Sequence, residues 1–262
     1  MKRFFLKILI VTAIISMACT TKVSEWVLLN SVPDKYLLVY FHRNEITEPV
    51  KKQNAELERR YNSANILVKS MQRDEIEKPY YVLFFNNRLI SENIDENQLE
   101  KLASSPFRET VAKELMDGKL CVMLYLKSGI PEKDEAGLEV VKKSVAASPF
   151  ADVISIMELD RNNKEESQLV SLLLNVEDDL KDIDEPMLFG VFGKFRALEP
   201  LLAKGISQAN INLMIDFFTA DCSCLIKDDL PGMNMLYNGN WENPQTAQVN
   251  KIIDANPQLE HH

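Results

Sequence analysis

The chain has 262 residues, 46% of them hydrophobic and 26% charged, with only 8 glycines. That composition excludes a disordered or low-complexity protein. A net charge of −9 argues against nucleic acid as a partner, because phosphate backbones are bound by basic patches that displace counterions. The acids alternate with lysines, as in Glu132-Lys133-Asp134-Glu135, which is the pattern of a solvated face.

The first element is an export signal. Lys2-Arg3 precede an apolar run from about Ile8 to Met17 that ends at Ala18 and Cys19, giving the basic, apolar and small-residue regions of a signal peptide over 1–18. The cysteine after the cut resembles the lipobox of bacterial lipoproteins, whose cysteine thiol receives a diacylglycerol and whose freed amine receives an acyl chain. That family usually carries Leu three positions earlier, where this chain has Ser16 beside Ile15. Ser16-Met17-Ala18 also suits an ordinary signal peptidase, so plain secretion is the second reading. A retained membrane helix is the third, disfavoured because the uncharged run is shorter than the ~20 residues a bilayer requires. The resemblance implies lipidation at Cys19, a tether over 19–33 and stable anchoring to a membrane by several acyl chains. It places the protein in the bacterial cell envelope, at the outer membrane or facing the periplasm. Removing Lys2, Arg3 and Lys7 reduces the 30 basic residues to 27 against 39 acidic ones, so the mature chain carries −12.

Behind the signal, two stretches share one grammar. Each opens with a strand expected to be buried on both faces, Tyr36–Phe41 in the first and Leu120–Leu126 in the second. A helix follows, aligned by Val50, Asn54, Leu57 and Tyr61 in one copy and by Leu138, Val141 and Val145 in the other. Second strands are predicted over 65–70 and 153–159, and the helix between strands implies a right-handed parallel crossover. Then Pro79 leads a strand over 80–85 that turns at Asn86-Asn87, and Pro186 leads one over 187–192 that turns at Gly193-Lys194. Both dipeptides suit the tight primed turns of a hairpin. A closing helix follows, marked in the second copy by Ile211, Met214, Ile215 and Phe218. The second copy also predicts a helix through Leu169, Leu172, Leu173 and Val176 ahead of its proline, for which the first has no room. Between the copies, Ser105, Pro106 and Gly118 frame a helix aligned by Phe107, Val111 and Leu115.

This order of strand, helix, strand, helix, proline-led hairpin and helix resembles the thioredoxin-like fold. The expected class is α/β, with two tandem thioredoxin-like domains, each a mixed sheet flanked by helices. Domain 1, a short form, spans 34–103, a linking helix 104–119 and domain 2 120–241, and a tail over 242–262 ends in an apparent tag remnant, Leu259-Glu260-His261-His262. In that family the proline before the third strand is cis and faces a dithiol, which makes Pro79 and Pro186 the candidate cis-prolines. An ordinary trans proline at a strand start is the alternative.

The family's redox activity requires a C-x-x-C pair at the start of the first helix, where backbone N–H groups stabilise a thiolate. Those positions hold Asn44-Glu45-Ile46-Thr47 and Ile130-Pro131-Glu132-Lys133, without sulfur. Cys121 lies in an apolar strand and reads as core. Cys222 and Cys224 flank Ser223 in a polar segment and are the candidate catalytic pair, with several readings open. They could form a strained disulfide, a dithiol redox site favoured by Lys227 and opposed by Asp221, Asp228 and Asp229, a soft-metal site with Met233 or Met235, or remain unpaired structural thiols. The segment Cys222–Lys227 followed by Pro231-Gly232 resembles the ending of bacterial proteins with tandem thioredoxin-like domains, which implies fold and compartment but no activity. Only His42 remains once the terminal histidines are set aside, so a histidine metal site is not expected, and no cofactor motif is present. The leading expectation is a non-enzymatic envelope lipoprotein that binds a protein or peptide, since this fold can hold an extended chain beside its proline-led strand through main-chain hydrogen bonds. The alternatives are a thiol-disulfide oxidoreductase using Cys222 and Cys224, or a soft-metal-binding protein.

Overall fold

A computed structural model describes residues 21–259. The expected export signal over 1–18, the expected lipidation residue Cys19 and the two terminal histidines lie outside the described residues.

The first half contains α1 (Val23–Asn30), β1 (Tyr36–His42), α2 (Glu48–Arg60), β2 (Ile66–Gln72), β3 (Tyr80–Phe85), β4 (Arg88–Ile94) and α3 (Glu96–Lys101). After the connecting helix α4 (Pro106–Met116) come β5 (Cys121–Lys127), α5 (Pro131–Ala146), β6 (Ile154–Asp160), α6 (Ser167–Leu173), β7 (Met187–Phe192), β8 (Arg196–Ala197), β9 (Leu201–Leu202) and α7 (Gln208–Thr219). The chain then forms α8 (Cys224–Asp228), β10 (Met233–Asn234) and α9 (Val249–Asp254).

Two mixed sheets result, of four and six strands, each flanked by helices. The first has the order β2-β1-β3-β4 and the second β10-β8-β7-β5-β6, with β9 pairing β7. In both, the first two strands are parallel across a helical crossover, and the proline-led strand runs antiparallel to the first. Each hairpin joins the same sheet as its copy's first two strands. This arrangement is compatible with the expected tandem thioredoxin-like units.

Several details depart from expectation. Among the described residues no peptide bond is cis, so Pro79 and Pro186 are both trans. A proline at the head of a strand costs little in trans, because the missing N–H lies where the ladder has not begun. The first hairpin turns on Asn86 and Asn87, both with positive φ (46° and 63°), as a primed turn requires. The second turn has three residues, 193 to 195, because Phe192 pairs with Arg196. Phe195 adopts φ 57° and its fully buried ring packs 5.9 Å from that of Tyr237. The tether expected over 19–33 is helical from Val23, because Val23 and Val27, four apart, find an apolar surface on the second unit. Gly193 permits this docking, since a Cβ there would lie 2.3 Å from Val27 Cγ1. The C-terminal segment is docked as well: Gln245 N donates to Met116 O at 2.9 Å, and Val249 is fully buried.

One core runs through both sheets. It includes Tyr36, Leu38 and Tyr40 of β1 together with Val122, Leu124 and Leu126 of β5. Residues 233–238 form a strap across it. Tyr36 Oη donates to Asn234 O at 2.7 Å, Tyr237 N to Asn65 Oδ1 at 3.0 Å and Asn238 N to Ala103 O at 2.7 Å. Arg196 fixes the start of the strap by donating to the carbonyls of Leu230, Pro231 and Gly232, to Asn234 Oδ1 and to Asp34 Oδ2, at 2.6 to 2.9 Å.

Arg196→Met should therefore lower stability by about 3–5 kcal/mol, because it strands buried acceptors. Asp34→Asn, at a half-exposed partner, should cost less than about 1 kcal/mol. Urea midpoints at equal m-values check this, and equal losses in the two variants would refute the role given to Arg196.

Candidate functional site

The family resemblance puts a dithiol at the mouth between the first strand's end, the first helix's start and the proline-led strand. In the second unit Ile130 is the N-cap of α5, and Pro131 opens the helix with the φ a first turn needs. Asp134 is buried one turn in, and its carboxylate accepts from Ser128 N (2.7 Å), Ser128 Oγ (2.8 Å) and Gly129 N (3.0 Å). Tyr125 Oη donates to the Asp134 carbonyl at 2.9 Å. Gly137 leaves room for that phenol, because a Cβ there would lie 2.3 Å from it.

Across the mouth, Lys133 Nζ is 2.6 Å from Glu185 Oε1, immediately before Pro186. Arg161 donates to Ile183 O at 2.6 Å and to Glu185 O at 3.3 Å. Pro186 O accepts from Ala203 N at 3.2 Å. The side chain and carbonyl before Pro186 and the carbonyl of Pro186 are thus all engaged within the chain. The mouth holds an ion pair and a capped loop, with no cysteine.

In the first unit Thr47 is the N-cap of α2. His42, buried and stacked on Tyr40 at 5.8 Å, donates its Nδ1–H to Asn44 O at 2.7 Å. That bond closes the strand end against the loop and uses the histidine structurally.

The cysteines lie elsewhere. Cys121 is fully buried in β5, and burial pushes its thiol pKa up, as expected of a core residue. Cys222 and Cys224 are not bridged to each other. Cys222 is buried in the core beneath α7, and its N–H donates to Thr21 O at 3.0 Å. Cys224 is exposed at the first position of α8, whose N-cap Ser223 accepts from Ile226 N at 3.3 Å. Met233 and Met235, expected as possible metal ligands, point into the core between the sheets, whereas Cys222 belongs to the core on the other side of the second sheet. The fold does not gather these four sulfurs. Among the described residues no group of three or more His, Cys, Asp or Glu could hold a metal ion.

Sequence reasoning missed two buried arginines and a carboxylate. Arg108 is fully buried in α4, with Nη1 donating to Leu102 O (2.6 Å) and Leu236 O (3.2 Å). Burial lowers its pKa to about 10, and the Glu166 carboxylate opposes that shift. Glu166 accepts from Phe107 N at 2.9 Å and from Ser105 Oγ, which places a negative charge at the N-terminus of the connecting helix. The signal was legible in part: Arg108, Val111 and Leu115 share the apolar stripe of α4, so a charge on that stripe had to be buried.

Comparison with protein-family models and with curated proteins gives no match.

Thiol titration should follow this burial. In the native protein Cys224 should react with a maleimide within minutes, and Cys121 and Cys222 only on unfolding. Peptide mapping of the labelled protein checks the order, and native labelling of Cys222 as fast as Cys224 would contradict the placement.

Proposed function

We propose that this protein is a redox-inactive binding module of the bacterial cell envelope, built from two thioredoxin-like units and held on a membrane by a lipid at Cys19. The observation that carries this reading is the state of the usual dithiol position. Both units lack sulfur there, and in the second the space is filled by the Lys133–Glu185 pair and the Asp134-capped loop. Only a thiolate can attack a disulfide, so a unit without one at that place keeps the fold's surfaces and loses its exchange chemistry. The order and direction of the strands support the family resemblance in both copies. The main-chain slot beside Pro186 is taken by Arg161 and Ala203, which shifts the binding role toward the first unit.

Among the described residues no helix is long and apolar enough to cross a membrane, so anchoring in this reading rests on Cys19. Intact mass of protein extracted from membranes should show a chain that begins at an acylated Cys19. An unlipidated chain starting elsewhere would end that part of the proposal.

Insulin reduction by the purified protein should not exceed a free-thiol control, and Cys222→Ser and Cys224→Ser should change neither that result nor the fold. Activity well above the control that both variants abolish would identify an oxidoreductase working through Cys222 and Cys224 and overturn the binding reading.

A further inference from the structure

The molecule carries one sheet plan twice, and the two copies differ in what covers one face. The residue after each proline sets the match, because Phe41 pairs with Tyr80 and Leu126 with Met187. Counting from there, Leu37, Val39 and Phe41 correspond to Val122, Leu124 and Leu126. By the same register Val82 and Phe84 correspond to Phe189 and Val191. In the second copy all five are fully buried, in a core that also holds Val111 and Leu115 of α4 and Leu169, Leu172 and Leu173 of α6.

The first copy lacks both covers. No helix forms between β2 and β3, where Ile76 of the connecting loop packs on Val39, Phe41 and Val82. The helix before β1, α1, packs instead on the second unit. What remains is an open groove of about 450 Å3, floored by Leu37, Val39, Phe41 and Phe84 and rimmed by Lys35 and Arg73. Apolar side chains continue it across the sheet, with Leu67, Met71 and Leu89 exposed by 43%, 44% and 51%. Isolated exposed apolar residues are ordinary, but a contiguous patch with a polar rim marks an interaction surface.

Charge identifies the occupant. The groove's charged lining is cationic, with no carboxylate among the lining residues, on a chain of net charge −9. Arg73 lies over the Phe41 ring at 5.1 Å, and its exposed ion pair with Glu75 at 3.5 Å is of a kind that contributes little. On the second sheet the matching face is covered by α6 (Ser167–Leu173), an uncharged apolar helix whose flanking segments on both sides are acidic. Its apolar Leu169, Leu172 and Leu173 are flanked by Glu165, Glu166, Glu177, Asp178 and Asp179.

We propose that the outer face of β1 and β3 binds an acidic amphipathic helix of a partner protein, seated where α6 lies on the second sheet. This rests on the binding-module reading and names its surface and the chemistry of its partner. Helix-in-groove recognition supplies the apolar anchors, and the Lys35 and Arg73 rim sets orientation and selectivity against basic helices.

The test uses a fluorescein-labelled peptide of residues 163–181 and a counterpart with its five carboxylate residues replaced by lysine. Anisotropy titrations are run on the purified protein and on a Lys35→Glu/Arg73→Glu variant, whose exposed substitutions leave the circular dichroism unchanged. The acidic peptide should saturate the protein, weaken with added salt and bind the variant at least ~10-fold more weakly. The lysine peptide should bind the variant better than the parent. Equal binding of the two peptides, no binding of either, or indifference to the variant would overturn the proposal. Loss in the variant of binding to phosphatidylglycerol vesicles, with no peptide effect, would assign the face to a membrane instead. A dimer in sedimentation that the variant dissolves would assign it to a second copy. Failure here leaves the module reading intact, because that reading is decided separately by the insulin assay.

Discussion

The guanidinium of Arg196 is the contact on which the joining of the two sheets depends. Its donors are spent on three successive carbonyls of residues 230 to 232, on Asn234 and on Asp34. A buried charge is tolerable only when hydrogen bonds replace its hydration, and a planar fork with fixed donors meets a curled backbone better than a flexible ammonium would. The curl itself requires Gly232, which has φ +82° and would place a Cβ 2.2 Å from Ala197 O. Once residues 230 to 234 are held, the strap beyond them can reach Asn65 and Ala103 in the first unit while β10 stays paired to β8 in the second. Arg108 anchors the far end through Leu236, and Glu166 supplies a neighbouring negative charge that also caps α4. The two units therefore share a core, and stability lost in one is felt in the other.

The two units share one sheet plan and differ in what covers its faces. The second has helices over both faces of its sheet, and the mouth before Pro186 is closed by internal bonds. The first has no helix between β2 and β3, and one of its sheet faces goes without that cover. Removing a helix from a two-sided sheet exposes apolar side chains that sheet geometry cannot hide, because alternate residues must point to opposite faces. A loop carrying a single Ile76 repairs only part of that exposure.

The sequence by itself determined the main strands of both sheets and the helices between them, but not α1, α8, α9 or the short strands β9 and β10. Strand positions, the framing of α4 by Ser105, Pro106 and Gly118, the Asn86-Asn87 turn and the buried faces of α2, α5 and α7 follow from period, caps and turn chemistry, which are local properties. It also determined where sulfur is absent, and so which chemistry the usual site could not perform. Tertiary structure decided the rest. The docking of Val23 and Val27, the burial of Cys222 apart from the exposed Cys224, and the separation of both from Met233 and Met235 depend on which faces meet across long stretches of chain. Pro79 and Pro186 stand in trans and the second hairpin takes an extra residue, because core packing around Phe195 outweighs the shortest turn. The role of Arg196 was invisible in one dimension for the same reason: its acceptors lie more than thirty residues away and become neighbours only when the strap closes.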